Sequence, residues 1–128
     1  MMVREPAGRF CWLDLAAADA QRAIGFYGEL FGWSATTQHA NGGTFVRLAH
    51  AGRDVGSLYP LRESERASGI QSHWTPYVRV DDVRAACERA RHLGGLVAVQ
   101  PFAVDGMARI ALVVDPGGAP FGLWEDLP

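Results

Sequence analysis

The chain has 128 residues, 48% of them hydrophobic and 20% charged, with a formal net charge of −2. That is the length of one ordinary domain, sufficient to bury a core without staples. All 12 basic side chains are arginines spread along the chain, so no basic block points to nucleic acid, and no apolar run approaches the roughly 18 residues of a membrane span.

In chain order, the first eight residues lack the apolar stretch of a signal peptide, and a cytoplasmic location is expected. Arg9–Leu15 (RFCWLDL) reads as a strand. From Asp19 to Gly32 the apolar positions Ala20, Ala23, Ile24, Tyr27 and Leu30 fall at helical spacing, with Asp19 as N-cap and Gly32 as stop. Short strands follow at Trp33–Gln38, Thr44–Ala49 and Arg53–Leu61, separated by turns at Asn41-Gly42-Gly43 and Ala51-Gly52. Arg62–Gly69 (RESERASG) is polar and without periodicity, and reads as a linker or mobile loop. Ser72–Val80 reads as another strand. A second helix, from Asp82 to Gly95, carries Val83, Ala86, Cys87, Ala90 and Leu93 on one face. Strands at Leu96–Gln100, Met107–Val114 and Ala119–Glu125 complete the chain, with turns at Asp105-Gly106 and Asp115-Pro116-Gly117-Gly118. The last of these is a tight turn and not a phosphate cradle, because no helix follows it.

The two helical patterns coincide when one is displaced by 63 positions, cap included, and the flanking strands follow suit. The chain is therefore an internal duplication of a β-α-β-β-β unit. We expect one domain, with a first module at about 9–61, a linker at 62–71 and a second module at about 72–125. Cys11 and Cys87 have neither disulfide nor zinc spacing and read as buried reduced thiols.

Side chains alternate across a strand, so parity assigns faces. Cys11, Leu13 and Leu15 face the helix, which leaves Phe10, Trp12 and Asp14 on the other side. In the repeat, Trp74, Pro76, Val78 and Val80 take the helix side, and His73, Thr75, Tyr77 and Arg79 the opposite one. Phe121 and Leu123 look toward the helix; Gly122 and Trp124 look away, as do Gly56 and Leu58 by the repeat. The helix-free face thus mixes aromatics with a carboxylate, a histidine and an arginine, the composition of a ligand-pocket lining.

The duplicated units, with the strings FYGELFGW (Phe26–Trp33), VDDVRAACERARHLGG (Val80–Gly95) and DPGGAPFGLW (Asp115–Trp124), resemble the vicinal oxygen chelate superfamily of glyoxalases, extradiol dioxygenases, fosfomycin-resistance enzymes and bleomycin-binding proteins. The resemblance implies an α+β fold in which two β-α-β-β-β modules form curved mixed sheets around a cavity, and a homodimer. In the superfamily's metalloenzymes the ion is held by His, Gln or Glu on the first and last strands of each half. Those positions fall here on Trp12, Thr75, Gly56 and Gly122. An indole nitrogen only donates, glycine has no side chain, and a lone hydroxyl is a poor ligand, so no metal and no other cofactor is expected.

The expected ligand-binding residues are Trp12, Asp14, Leu58, His73, Thr75, Tyr77, Arg79 and Trp124, with no catalytic residue assigned. Trp12 and Trp124 either plug the cavity or a dimer interface, or form walls on which a planar ligand stacks. Asp14 and Arg79 either form a structural salt bridge or orient the ligand's polar groups, and His73 hydrogen-bonds ligand or water. The expected function is binding of a hydrophobic or aromatic small molecule, such as an antibiotic, by a metal-free protein that confers resistance by sequestration. The alternatives are a metal-dependent lyase, isomerase or dioxygenase with ligands at displaced positions, and a metal-free biosynthetic enzyme that moves a proton through His73 or Asp14.

Overall fold

A computed structural model describes residues 5–40, 43–104 and 106–128, so the readings at Met1–Arg4, Asn41-Gly42 and Asp105 lie outside the described residues. The chain divides into two compact units. One is Leu13–Trp74; the other is Thr75–Pro128 together with the segment ending at Trp12.

The first unit runs β1 (Phe10–Ala17), α1 (Ala20–Phe31), β2 (Ser34–Ala40), β3 (Gly43–His50), β4 (Arg53–Pro60) and α2 (Glu63–Ala67), the first three residues of β1 counting with the second unit. Strands β2, β3 and β4 form an antiparallel meander, and β1 lies parallel to β4. Helix α1 starts where expected: the Asp19 carboxylate accepts a hydrogen bond from the Arg22 N–H at 3.1 Å, filling one of the donors that a helix start leaves open. It stops at Gly32, whose φ of 76° suits glycine, and whose N–H donates to the Gly28 carbonyl at 2.9 Å. Ala20, Ala23, Ile24 and Tyr27 pack onto a core of Leu15, Ala17, Leu48 and Leu58, whereas Leu30, expected on the same face, is exposed. Burying each of those leucines contributes about 1.5–3 kcal/mol. The segment read as a linker or mobile loop contains helix α2, whose Glu65 carboxylate reaches back to accept from the Arg62 backbone N–H at 2.9 Å.

The second unit adds β5 (His73–Arg79), α3 (Val83–His92), β6 (Leu96–Val104), β7 (Ala108–Val114) and β8 (Pro120–Asp126). Strand β8 pairs parallel with β5 and antiparallel with β7, which pairs antiparallel with β6. Asp82 caps α3 as Asp19 caps α1, accepting from the Ala85 N–H at 3.1 Å. Val83 and Cys87 of α3 pack with Ala111, Val113 and Leu123. Cys11 and Cys87 are free, buried cysteines. The turn at residues 115–118 is closed by Asp115, whose carboxylate accepts from the N–H groups of Gly117 and Ala119 at 2.8 and 2.9 Å. Each module is therefore β-α-β-β-β with one parallel and two antiparallel strand pairings, the α+β architecture expected. No helix among the described residues is long and apolar enough to cross a membrane.

Candidate functional site

The helix-free face of the second unit is apolar. Tyr77 lies beside Gly122 and Arg79 beside Trp124 in the β5–β8 register, so these four share a side. Trp12 stacks on Trp124 with centroids 5.1 Å apart and planes at 28°, and Tyr77 meets Trp124 edge to face at 6.0 Å. Pairing along β7 and β6 extends the same side with Leu112, Ile110 and Phe102. Trp12 and Tyr77 are buried at 6% and 5% exposure, so they form the floor; Trp124 is half-buried and Phe102 exposed at 41%, so these two reach the surface.

One carboxylate fixes this arrangement. Asp126 accepts from the Trp124 Nε1–H at 2.9 Å and from the Arg79 Nε–H at 2.8 Å, so the indole and the guanidinium are held by the same group. Arg79 also lies 3.8 Å from Asp81. Burial pushes the Cys11 thiol up to about 11, with the Asp126 charge adding to it, so Cys11 stays protonated near neutral pH. On the helix side, Arg109 donates to Glu125 at 3.2 Å, and Glu125 also accepts from the Val83 N–H at 2.8 Å.

The helix-free face of the first unit is polar. Asp14 lies opposite Ser57, and Ala16 opposite Tyr59, in the parallel β1–β4 register. The Ser57 hydroxyl donates to Asp14 Oδ1 at 2.7 Å. Burial raises the Asp14 carboxyl to about 6, with the Ser57 hydrogen bond and the nearby His73 pulling it partly back. Tyr59 is raised to about 12, mostly by burial and then by the charge of Asp14. His73 is exposed, and its Nδ1 lies 2.8 Å from the Gln71 carbonyl, which makes Nδ1 the donor. Arg47 donates to Asp54 at 2.8 Å.

Three readings are corrected. Leu58 does not line a ligand face: it is fully buried among Leu15 and Leu48 in the core beneath α1. The register places Ser57, not Gly56, opposite Asp14, and the β3–β4 pairing slips by one at Leu48/Ala49, where Val55 is the extra residue on β4. Of the two readings given for Asp14 and Arg79, the mutual salt bridge is not the one seen: Arg79 is bound by Asp126 and Asp14 by Ser57. Trp12, Tyr77, Arg79 and Trp124 come together in the second unit, where Thr75 is half-buried; Asp14 and His73 belong to the first. Sequence reasoning missed Ser57, Tyr59 and Asp126 as functional groups. Continuing the alternation of β8 two residues past Trp124 finds Asp126, whereas Ser57 sits in a run, VGSLYPL, with no alternation to read.

The chain belongs to the glyoxalase/bleomycin resistance protein/dioxygenase superfamily, whose family model matches residues 9–123. It is 31% identical over 135 residues to the anthracycline biosynthesis protein DnrV of Streptomyces peucetius, covering 97% of this chain and 49% of that protein. The same figures hold for the anthracycline biosynthesis protein DauV of Streptomyces sp. strain C5, so the chain spans about half the length of the curated relatives it matches. Its fold is shared by methylmalonyl-CoA epimerase from Mycobacterium tuberculosis, with a TM-score of 0.70 at 21% identity over 100% of this chain and 94% of that one.

The residues at the superfamily's metal positions do not fit an ion. A Cβ on Gly122 would lie 2.2 Å from the Tyr77 ring, so that backbone position has no room for a ligating side chain, and its counterpart on β4 is Ser57, a single hydroxyl that donates to Asp14. At the Trp12 position stands a stacked indole, which has no lone pair to give. Among the described residues no three His, Cys, Asp or Glu side chains group so as to hold a metal.

Proposed function

We propose that this protein binds a planar aromatic small molecule without a metal, on the helix-free face of its second unit. The observation that carries this reading is the Trp124 platform: an indole backed by Trp12, wedged by Tyr77, tied down by Asp126 and still only half-buried. A ring immobilised in this way loses little freedom when a flat ligand lies on it, and aromatic stacking is worth about 0.5–1.5 kcal/mol beyond area burial. Leu112, Ile110 and Phe102 extend the apolar contact, and the Arg79–Asp126 pair offers polar groups at its edge.

Two relatives at 31% identity bear anthracycline biosynthesis in their names, and anthracyclines are flat fused-ring aromatics, so a fused-ring aromatic natural product is the ligand class proposed. Sequestration would then protect a cell by mass action wherever protein exceeds ligand. A dissociation constant of 1 µM corresponds to about 8 kcal/mol.

The test is a fluorescence titration with a hydroxyanthraquinone. Saturable quenching of the tryptophan emission is expected, with Trp124→Ala weakening binding roughly tenfold, as the loss of about 1.4 kcal/mol of stacking and area predicts. Absence of saturable quenching by any fused-ring aromatic overturns the reading. So does stoichiometric zinc, nickel, manganese or iron in protein purified without chelators, with activity lost on chelation.

A further inference from the structure

The two duplicated helices differ most on the surface they turn to solvent. Arg22, Gly25, Phe26 and Glu29 of α1 are all exposed and occupy about a third of the helix circumference. They lie opposite Ala20, Ala23, Ile24 and Tyr27, which pack on the core. Displaced by 63 positions, they correspond to Ala85, Glu88, Arg89 and His92 of α3. On α3 that surface is an ordinary charged one, with Glu88 paired to Arg91. On α1 the same place holds a phenylalanine exposed at 59%, beside a glycine. The Phe26 ring touches Tyr27 edge to face at 5.2 Å, which leaves most of it in water. Glycine is poorly suited to a helix interior, yet a Cβ at 25 would meet no neighbouring atom within 4 Å, so nothing in its own surroundings demands one. Position 25 is an open notch next to a projecting ring.

We propose that α1 is the contact surface for a second copy of this chain, with the two α1 helices antiparallel about a two-fold axis that passes between residues 25 and 26. Shape and charge along the helix select that partner. The axis sets Phe26 of each copy in the notch at Gly25 of the other, and Arg22 of each against Glu29 of the other. Arg22 and Glu29 stand about 10 Å apart along the helix, too far to pair within it, and among the described residues neither side chain has an ion partner. A parallel pairing would instead oppose like charges. Leu30, exposed at 58%, extends the apolar contact toward Gln21 of the other copy. Ring and notch, cation and anion are thus placed symmetrically about one point, which makes the surface complementary to itself and to no unrelated partner by design. A helix of 12 residues is about 18 Å long, and its face falls well short of the roughly 800 Å² per partner of a standard interface. The dimer is therefore weak, with a dissociation constant on the order of 10–100 µM. None of this depends on the aromatic platform of the second unit.

The experiment is sedimentation equilibrium of the 128-residue chain over about 5–500 µM. Reversible dimerisation is expected. Phe26→Arg, which installs the residue of the duplicated helix at an exposed position, should weaken it roughly tenfold or more. Gly25→Leu fills the notch and should do the same; it decides the matter should Phe26→Arg fail to fold by circular dichroism. Arg22→Glu and Glu29→Arg should each weaken self-association severalfold, because each opposes like charges across the axis. An equimolar mixture of those two variants should regain the wild-type affinity, since every pair across the axis is then opposite in charge. Weakening alone with recovery on mixing is the signature of antiparallel pairing. A monomer at every concentration, a dimer indifferent to Phe26→Arg or Gly25→Leu, or a mixture of the charge variants no tighter than either alone overturns the proposal.

Discussion

At the scale of single residues, Asp14 makes the stability of the protein depend on pH in an unusual direction. Its folded carboxyl, near 6, lies above the ordinary value of 3.8, so between those values the folded state holds more protons than the unfolded one. Stability therefore rises as pH falls from about 7 to about 4, by an amount on the order of 2–3 kcal/mol from this group. Asp14→Asn keeps the shape and removes the charge. It should be the more stable protein at pH 8 and lose that advantage by pH 4, which urea unfolding at the two pH values measures; a constant difference between the two proteins would refute the assignment. The two crowded glycines provide a sterner case. Gly56→Ala places a methyl against the Leu13 backbone, which has nowhere to go, and should cost about 3 kcal/mol or more, read as a lowered melting temperature. Leu58→Ala, which empties a fully buried core position, should cost about 2–5 kcal/mol with no effect on aromatic binding.

At the scale of elements, the two helices are equivalent by cap as well as by pattern, and Asp19→Ala and Asp82→Ala should each lower stability by about 1 kcal/mol. These elements were legible because helical spacing, an acidic cap and a terminal glycine agree. The strands were legible to within about two residues except β6, which runs to Val104, four residues past the expected end, and the faces of β1, β5 and β8 followed from strict alternation. Strand β4 was not. Its run from Val55 to Leu61 is apolar or small on both sides, so the sequence offered no parity, and an extra residue at Val55 within β4 itself shifts its pairing with β3 by one. That single step moved Leu58 into the core and Ser57 onto the face with Asp14. The partners of charged groups were equally out of reach, because the choice of Asp126 over Asp14 for Arg79 depends on geometry that no linear pattern encodes. The helix in the stretch 62–71 escaped notice because five residues are too few to show a period.

At the scale of the whole molecule, duplication has produced two modules with the same scaffold and opposite surfaces. The first presents a carboxylate, a serine and a tyrosine; the second presents stacked indoles and aliphatic side chains. Ligand binding to the second should be visible globally. A fused-ring aromatic present at 100 times its dissociation constant should stabilise the fold by about 2.7 kcal/mol, raising the melting temperature by several degrees in the wild type. Trp124→Ala, tested at the same ligand concentration, should show a smaller rise; an equal rise would mean that the platform is not where the ligand lies.

The Tyr77 ring seated over Gly122 also bears on how this chain can change. A histidine or glutamate introduced at 122 meets the ring before it meets an ion, while shrinking Tyr77 first opens a void in a buried floor and takes the edge contact away from Trp124. Each single step is penalised. For mutation or engineering alike, a cation ligand at position 122 is out of reach one substitution at a time, which gives the present surface a persistence that its chemistry alone would not.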